Sequence, residues 1–162
     1  MTDAAEQEFL ALLEAHRGII GKVAATYARD HADREDLGQE IVSQLWRAFP
    51  GWDRGRRFST WMYRIALNTA ISWLRSESRR ARRFVPADDS VHEIAAGEPE
   101  DADERLAVLQ RLVASLSDAD RALVLLYLDG NAYDVIADVL GISESNVATR
   151  MHRIKARLRA RR

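Results

Sequence analysis

Two groups of side chains in this sequence could do chemistry, and in both groups the residue types suit binding rather than catalysis. The first group runs from Trp52 to Arg57 and combines one aromatic ring, one glycine and three arginines. Aromatic faces stack on unpaired bases, and guanidinium groups bind phosphates. A loop of this kind could therefore hold one strand of nucleic acid. The second group lies between residues 143 and 157, where small polar residues are followed by basic ones.

The second group has a spacing that is typical of a helix-turn-helix over residues 132 to 158. Ala137, Gly141 and Val147 supply the small residue, the turn glycine and the apolar anchor that this motif needs. Any pair of short packed helices could carry the same triplet, but the basic residues that follow favour a helix that reads DNA. The positions expected to meet bases or phosphates are Ser145, Asn146, Ala148, Thr149, Arg150, His152, Arg153, Lys155 and Arg157.

Metal and thiol chemistry find little support in the composition. The chain contains no cysteine, and its four histidines are scattered rather than clustered. We therefore expect no catalytic site, no cofactor and no bound metal. No apolar run approaches the roughly 20 residues that span a bilayer, and the N-terminus does not have the pattern of an export signal. A cytoplasmic protein is expected.

The formal net charge of −1 hides a strong segregation of charge along the chain. Residues 54 to 83 hold nine basic side chains and one acidic, and residues 121 to 162 hold eight basic and four acidic. Between them, residues 84 to 120 hold two basic and ten acidic side chains. Because Lys and Arg neutralise phosphates, the two basic blocks predict two separate contacts with nucleic acid.

A linker is predicted at 84–101, where two of the three prolines lie among acidic residues without helical periodicity. Before it, apolar residues at helical spacing predict three helices, over 9–27, 33–49 and 58–80. No stretch alternates with the period of a strand, so we expect two small all-α domains. The apolar face of the third helix is predicted to comprise Phe58, Trp61, Met62, Ile65, Ala66, Thr69 and Trp73.

Capping residues predict where the helices beyond the linker begin. Ser117, Asn131 and Ser143 each precede a stretch with an acidic residue in its first turn, which is the usual arrangement at a helix N-terminus. The last of these caps would start the reading helix of the helix-turn-helix. Short helices are therefore expected throughout the C-terminal domain.

Three passages together resemble the bacterial extracytoplasmic-function (ECF) sigma factors of RNA polymerase. DREDLGQEIVSQLWRAF (33–49) is similar to their polymerase-binding helix, and RFSTWMYRIALNTAISWLRSESRR (57–80) is similar to their minus-ten helix. Residues 116–159 resemble region four, which contains the helix-turn-helix. The resemblance implies a region-two domain at 1–83, a linker at 84–101 and a region-four domain at 102–162.

The resemblance implies contacts with core RNA polymerase, through the clamp helices of the beta-prime subunit and through the beta flap. The helix at 33–49 would dock on the clamp helices. For Trp46, packing in the core is an equal alternative, and the acidic residues could simply form a solvated helix face. The residues implied in this contact are Asp36, Leu37, Gln39, Glu40 and Trp46.

The resemblance also implies that region two captures bases of the opened minus-ten element. Asn68 is expected to read a base edge, with a buried structural amide as the alternative, whereas Trp61 and Trp73 are assigned to the core. The residues implied in minus-ten binding are Trp52, Arg54, Arg56, Arg57, Arg64, Asn68, Arg75, Arg79 and Arg80.

Region four would read the minus-thirty-five element in the major groove. The chain departs from the usual family pattern at Ala148 and His152, and at Tyr133 and Asp134 in the preceding helix. Alanine can touch a thymine methyl group, which would favour a different base at that step. The promoter sequence of other family members therefore cannot be transferred to this chain.

The function implied is that of a specificity subunit, which catalyses no reaction and is held inactive by an anti-sigma factor. Two alternatives remain open from the residues. A conventional DNA-binding regulator would use the N-terminal helices to dimerise or to bind a ligand, and would bind symmetric operators without polymerase. An inactive sigma-like protein would bind polymerase or an inhibitor without reading DNA, although both basic blocks argue against it.

Overall fold

A computed structural model describes residues 1–84 and 101–161 of the chain. These residues contain α-helices and one short 3-10 helix but no strand, which confirms the predicted all-α class. The helices are α1 (Asp3–Ala15), α2 (Arg17–Tyr27), α3 (His31–Ala48), α4 (Phe58–Phe84), α5 (Asp101–Ser115), α6 (Asp118–Leu128), α7 (Tyr133–Leu140) and α8 (Glu144–Ala160), with the 3-10 helix at Phe49–Gly51.

The first two helices correct the single helix that was predicted over residues 9–27. The chain breaks at His16, whose backbone has φ −119° and ψ 14° and whose N–H donates to the carbonyls of Leu12 and Leu13. The apolar spacing continues across this break because α1 and α2 both bury residues in the same core, among them Phe9 and Val23. Periodicity alone could not distinguish two consecutive helices from one.

Helix α3 begins at His31, two residues before the start of the helix predicted at 33–49. Asp30 caps α3, because its carboxylate accepts a hydrogen bond of 2.8 Å from the backbone N–H of Asp33. Leu37, Ile41 and Leu45 are completely buried along one face of α3. The helix then tightens into the 3-10 turn at Phe49–Gly51, which leads into the loop before α4.

The buried face of α4 differs from the predicted one. Phe58, Met62 and Ala66 are buried as expected. Trp61 and Trp73, which were assigned to the core, lie only half-buried at its margin. The face is wider because α4 packs against α2 and α3 on one side and against α7 on another. The buried residues that the prediction missed are Tyr63, Leu67 and Ala70.

Of the three caps predicted for the C-terminal helices, two are confirmed and one is wrong. The Ser117 hydroxyl accepts from the N–H of Asp120 at the start of α6, and the Ser143 hydroxyl accepts from the N–H of Asn146 at 3.1 Å. Asn131 is not a cap, because α7 starts after Ala132 without a side-chain cap. The Asn131 amide instead donates to the carbonyl of Leu126 at 2.9 Å and closes the end of α6.

The helix-turn-helix is formed by α7 and α8, as the triplet predicts. Gly141 ends α7 with φ 68° and ψ 34°, a left-handed conformation that disfavours residues with a Cβ. Val147 is completely buried and Ala137 is 7% exposed, so both residues lie in the contact between the two helices and their neighbours. The turn therefore has the geometry that its sequence requires.

The N-terminal helices α1–α4 and the C-terminal helices α5–α8 form two groups. These groups pack against one another, with α2 against α6 and α4 against α7. Buried apolar side chains from both groups belong to one continuous cluster. The chain between α4 and α5 passes through the predicted linker, of which residues 85–100 lie outside the described part. The fold thus brings the helix-turn-helix close to the loop before α4.

Candidate nucleic-acid interface

The loop at residues 52–57, which we call the strand-binding loop, lies against an aromatic cluster. The Trp52 ring stacks on Phe49 with 5.8 Å between centroids and an interplanar angle of 26°. It also meets Phe58 edge to face at 5.2 Å. Trp52 is half-buried, and its indole Nε1 is buried with no acceptor among the described residues. The predicted stacking residue is thus a fixed wall of the loop, not a mobile side chain.

The three arginines of the strand-binding loop differ in what holds them. The Arg54 guanidinium binds both carboxylate oxygens of Glu8 in α1, at 2.5 and 3.2 Å, and lies 5.6 Å from the Trp52 ring centroid. The hydrogen bond from Arg54 lowers the pKa of Glu8, although partial burial opposes it. Arg56 lies 3.7 Å from the Asp138 carboxylate of α7, and Arg57 is exposed.

A cavity of about 170 Å³ opens between the strand-binding loop, α4 and α7. Its walls include Trp52, Arg56 and Arg64 on one side and Asp138 and Val139 on the other. The aromatic wall and the two guanidinium groups suit a base and its phosphate. The side contributed by α7 belongs to the other domain.

The basic face of α4 continues away from this cavity. Asn68 is exposed and lines an open groove with Glu40 and Gln44 of α3, so it is not a buried structural amide. Arg80 pairs with Glu77 at 3.5 Å on the helix surface. The predicted minus-ten residues on the exposed face of α4 are Arg64, Asn68, Arg75, Arg79 and Arg80.

The predicted polymerase-binding residues divide into a surface group and one buried residue. Asp36, Gln39 and Glu40 are exposed on α3. Trp46 is 37% exposed while its ring packs edge to face on Phe9 at 5.2 Å, so one part of the side chain packs in the domain and another part is accessible to a partner. Leu37 is completely buried, which corrects its inclusion, because it has no surface left for a partner.

The reading helix α8 presents an exposed face formed by residues of its first two turns and of its basic end. Ser145, Ala148 and Thr149 are exposed near its N-terminus. Ser145 has a further contact, because its hydroxyl lies 3.3 Å from that of Ser143. The exposed predicted residues further along are His152, Arg153 and Arg157.

The half-buried residues of α8 are held by neighbours that the sequence did not reveal. Arg150 donates to the Asp120 carboxylate of α6 at 3.1 Å and to the side-chain oxygen of Asn146 at 3.2 Å. The Lys155 ammonium lies 4.8 Å from the centroid of the Tyr127 ring, a cation–π contact. Because Asp120 and Tyr127 belong to α6, the orientation of Arg150 and Lys155 depends on the packing of α6 against α8.

Over residues 1–84 and 101–161, no group of three or more His, Asp or Glu side chains is arranged to hold a metal ion. Within the same residues, no helix has the length and hydropathy needed to cross a membrane.

Two family descriptions match the chain, and their limits agree with the two groups of helices. Sigma-70 region 2 matches residues 12–80, and Sigma-70 region 4 matches residues 106–158. The first match contains the strand-binding loop and the exposed faces of α3 and α4. The second contains α6 and the whole helix-turn-helix.

Curated relatives agree with these matches. The chain is 31% identical to the ECF RNA polymerase sigma factor SigL of Mycobacterium tuberculosis over 88% of its own length and 81% of that relative. It is 30% identical to SigE of Mycolicibacterium smegmatis and 28% identical to a probable sigma factor, RfaY, of Xanthomonas campestris. The chain spans 59% of the length of SigE and 40% of the length of RfaY.

A solved structure supports the same fold. The chain superposes on CnrH, in complex with the cytosolic domain of CnrY, with a TM-score of 0.68 over 96% of this chain and 87% of that one. At 23% identity this likeness shows the fold alone. CnrH is an RNA polymerase sigma factor of Cupriavidus metallidurans. From the two family matches and the relatives above 30% identity, the chain belongs to the ECF RNA polymerase sigma factors.

Proposed function

We propose that this chain binds core RNA polymerase, directs it to two-part promoters and stabilises the opened minus-ten strand. The observation that carries the proposal is the strand-binding loop, where arginines surround a fixed aromatic wall at the start of α4. Stacking and guanidinium contacts of this kind hold single-stranded bases and their phosphates. The presence of a separate reading helix supports two DNA contacts by one protein.

The minus-ten contact extends from the strand-binding loop along the exposed face of α4. Trp52 and the loop arginines bind the displaced strand where it leaves the duplex, and Asn68 offers an amide to a base edge. The arginines at the far end of α4 meet phosphates, which adds affinity without sequence preference. Because the arginines meet phosphates and Asn68 meets a base edge, Asn68 contributes more than the other residues of α4 to the choice of promoter sequence.

The minus-thirty-five contact is made by α8 in the major groove. Its exposed first two turns approach base edges, while the basic residues beyond them bind the flanking phosphates. Arg150, held by Asp120 and Asn146, has a restricted orientation before DNA arrives. A fixed guanidinium loses less conformational freedom when it binds a base or phosphate.

The polymerase contact uses the exposed part of α3 and a second surface on the C-terminal domain. Asp36, Gln39 and Glu40 pair with basic groups of the beta-prime clamp helices, and the exposed part of Trp46 anchors the contact. The C-terminal domain meets the beta flap. Leu37 supports this surface from below through its packing in the core.

A protein inhibitor is a further proposed partner. Among solved structures with the same fold, CnrH is in complex with the cytosolic domain of CnrY, and RpoE is in complex with the anti-sigma factor NepR from Bartonella quintana. We extend this kind of partner to the present chain. The protein would act in the cytoplasm, where polymerase is found, and would catalyse no reaction itself.

The proposed function is tested by run-off transcription with purified core polymerase on a library of promoter sequences. The chain should yield transcripts from a subset of the library that shares two sequence elements, and core polymerase alone should not. Transcripts that do not depend on the chain would contradict the proposal. Binding to symmetric operators without polymerase would instead indicate a conventional DNA-binding regulator.

A further inference from the structure

Tyr127, Tyr133 and Lys155 meet where α6, α7 and α8 come together, and we call these three residues the tyrosine–lysine cluster. Tyr127 lies in the last turn of α6 and is 37% exposed, and Tyr133 is the first residue of α7. The centroids of the two rings are 6.3 Å apart. The Lys155 ammonium lies 4.8 Å from the centroid of the Tyr127 ring. The three side chains therefore share one part of the surface.

The turn between α6 and α7 fixes the two tyrosines beside each other. Gly130 has φ 82°, which favours glycine, and its N–H donates to the carbonyl of Tyr127 at 3.1 Å. The backbone N–H and the side-chain amide of Asn131 both donate to the carbonyl of Leu126, at 3.1 and 2.9 Å. These bonds hold the end of α6 against the start of α7, so the backbone sets the relative position of the rings.

Lys155 is held by an aromatic ring, whereas Arg150 on the same helix is paired with the Asp120 carboxylate at 3.1 Å. Among the carboxylates whose side chains the structure describes, none forms a salt bridge with Lys155. The Asp134 carboxylate, in the first turn of α7, accepts from the N–H of Val135 at 2.9 Å. The ring orients the ammonium without neutralising it, so the charge is available to an external anion.

The position of the cluster on the helix-turn-helix indicates which anion it meets. Lys155 follows Ala148 by seven residues, or about two turns, so it lies on the side of α8 that carries the exposed Ala148. In helix-turn-helix complexes the second helix enters the major groove, while the first helix crosses the DNA backbone. Tyr133, at the start of α7, is therefore placed at the backbone beside Lys155. Lysine ammonium and tyrosine hydroxyl groups both bind phosphate oxygens.

We propose that the tyrosine–lysine cluster is a phosphate-binding site for the duplex at the minus-thirty-five element, in which Lys155 and Tyr133 bind one phosphate and Tyr127 is a positioning residue. The identity of the ligand, duplex DNA, rests on the proposed function. Because the Tyr127 ring restricts the ammonium before DNA arrives, less side-chain freedom is lost on binding. The site adds affinity without choosing bases, since phosphates carry no direct sequence information.

The phosphate contact is tested by titrating the full-length chain with a short fluorescent duplex of random sequence at several salt concentrations. Lys155→Ala should weaken binding and reduce the slope of log affinity against log salt by about 0.9, as expected for one phosphate of duplex DNA. Arg17→Ala is the matched control, because it removes one exposed positive charge from α2, outside the proposed binding surfaces. An equal change in the control, an unchanged slope in Lys155→Ala, or no duplex binding by the parent would overturn the proposal.

The positioning role of Tyr127 is tested by two variants that differ in whether an aromatic ring remains. Tyr127→Leu should weaken duplex binding about two- to fivefold, because Lys155 loses the ring that orients it. Tyr127→Phe retains the ring and should restore the affinity of the parent. In a Lys155→Ala background, Tyr127→Leu should have no further effect, which a merely structural role would not produce. Equal losses in the two ring variants, or a loss that adds to that of Lys155→Ala, would exclude this role.

The shared phosphate is tested through Tyr133→Phe, which removes one hydroxyl group and should weaken duplex binding about two- to tenfold. On a minus-thirty-five duplex selected in the transcription library, a neutral methylphosphonate replaces each backbone phosphate in turn. One replacement should weaken binding by the parent but have no effect on the double variant Tyr133→Phe with Lys155→Ala. If every replacement affects the parent and the double variant equally, the cluster binds no phosphate.

Binding to core polymerase, measured in parallel, separates the proposal from a protein contact at the same surface. If Tyr127→Leu and Tyr133→Phe weaken binding to core polymerase and leave duplex binding unchanged, the cluster is a protein contact and the proposal is wrong. Failure of the proposed function is distinguishable, because the titrations with random duplex need neither polymerase nor a promoter. A chain that supports no promoter-dependent transcription would still show the change of slope in Lys155→Ala.

Discussion

The two proposed DNA-binding surfaces of this chain differ in which groups hold their basic side chains. The strand-binding loop shares its arginines with distant carboxylates, Glu8 of α1 and Asp138 of α7. The reading helix α8 is held by groups of its own domain, such as Asp120, and its first turns are exposed. The comparison indicates that the basic side chains of α8 are oriented within their own domain. The arginines of the strand-binding loop are oriented by carboxylates of helices distant in sequence.

The largest expected effect concerns Leu37, which is buried beneath the proposed polymerase-binding surface of α3. Leu37→Ala removes a completely buried side chain and should lower the free energy of unfolding by about 2 to 5 kcal/mol. Thermal or urea unfolding measures this loss. Asp36→Ala is the matched neighbour, which should retain stability while it weakens binding to core polymerase. Equal stability of the two variants would contradict the burial of Leu37.

The second-largest expected effect concerns Arg150 of α8, whose orientation is held by Asp120 of the same domain. Arg150→Ala should reduce promoter discrimination by about 1 to 3 kcal/mol if Arg150 contacts a base edge. Asp120→Asn should have a smaller effect in the same direction, because Arg150 remains but loses its fixed orientation. Binding to a selected promoter and to base-substituted versions measures both. Unchanged discrimination in Arg150→Ala would remove this residue from the reading surface.

A smaller effect is expected at Asn68, on the other DNA-binding surface. Because Asn68 is exposed, Asn68→Ala should change the free energy of unfolding by no more than about 0.5 kcal/mol. It should nevertheless slow formation of the open promoter complex, since a base-edge contact is lost. Stopped-flow detection of strand opening and thermal unfolding separate the two effects. A large loss of stability with normal strand opening would make Asn68 a structural residue.

The smallest effect concerns Arg54, the loop residue that Glu8 holds. Arg54→Ala should reduce the slope of log affinity against log salt for single-stranded DNA by about 0.7 if Arg54 meets one phosphate. Glu8→Gln releases Arg54 from its partner and should retain the full slope. Titrations at several salt concentrations measure both slopes. A slope that Arg54→Ala leaves unchanged would mean that Arg54 serves only to hold the loop on α1.

Local features of the sequence predicted most of what the structure shows in the C-terminal domain. Gly141 and Val147 mark the helix-turn-helix because their roles depend on backbone conformation and burial within a few residues of each other. Ser117 and Ser143 cap helices for the same local reason. Asn131 was assigned wrongly because its amide bonds backward to Leu126 rather than forward into α7.

Features that depend on contacts between distant residues could not be predicted. The buried face of α4 was predicted too narrowly because it omitted Tyr63, which is buried next to the other domain, and the periodicity of one helix does not record such a contact. The bonds from Arg54 to Glu8 and from Lys22 to Asp129 join residues far apart in sequence, so no spacing rule identifies them. The break between α1 and α2 was missed because no proline marks His16 and the apolar spacing continues across it.

The central claim, that the chain captures one strand of an opened promoter for polymerase, is tested most directly by permanganate probing of unpaired thymines. The DNA is a promoter selected in the transcription library, probed with core polymerase and with this chain, separately and together. The account predicts one short reactive stretch at the minus-ten element only when both proteins are present, and a weaker reaction with Asn68→Ala. Reactivity with core polymerase alone, or none with both proteins on a promoter that yields transcript, would contradict it.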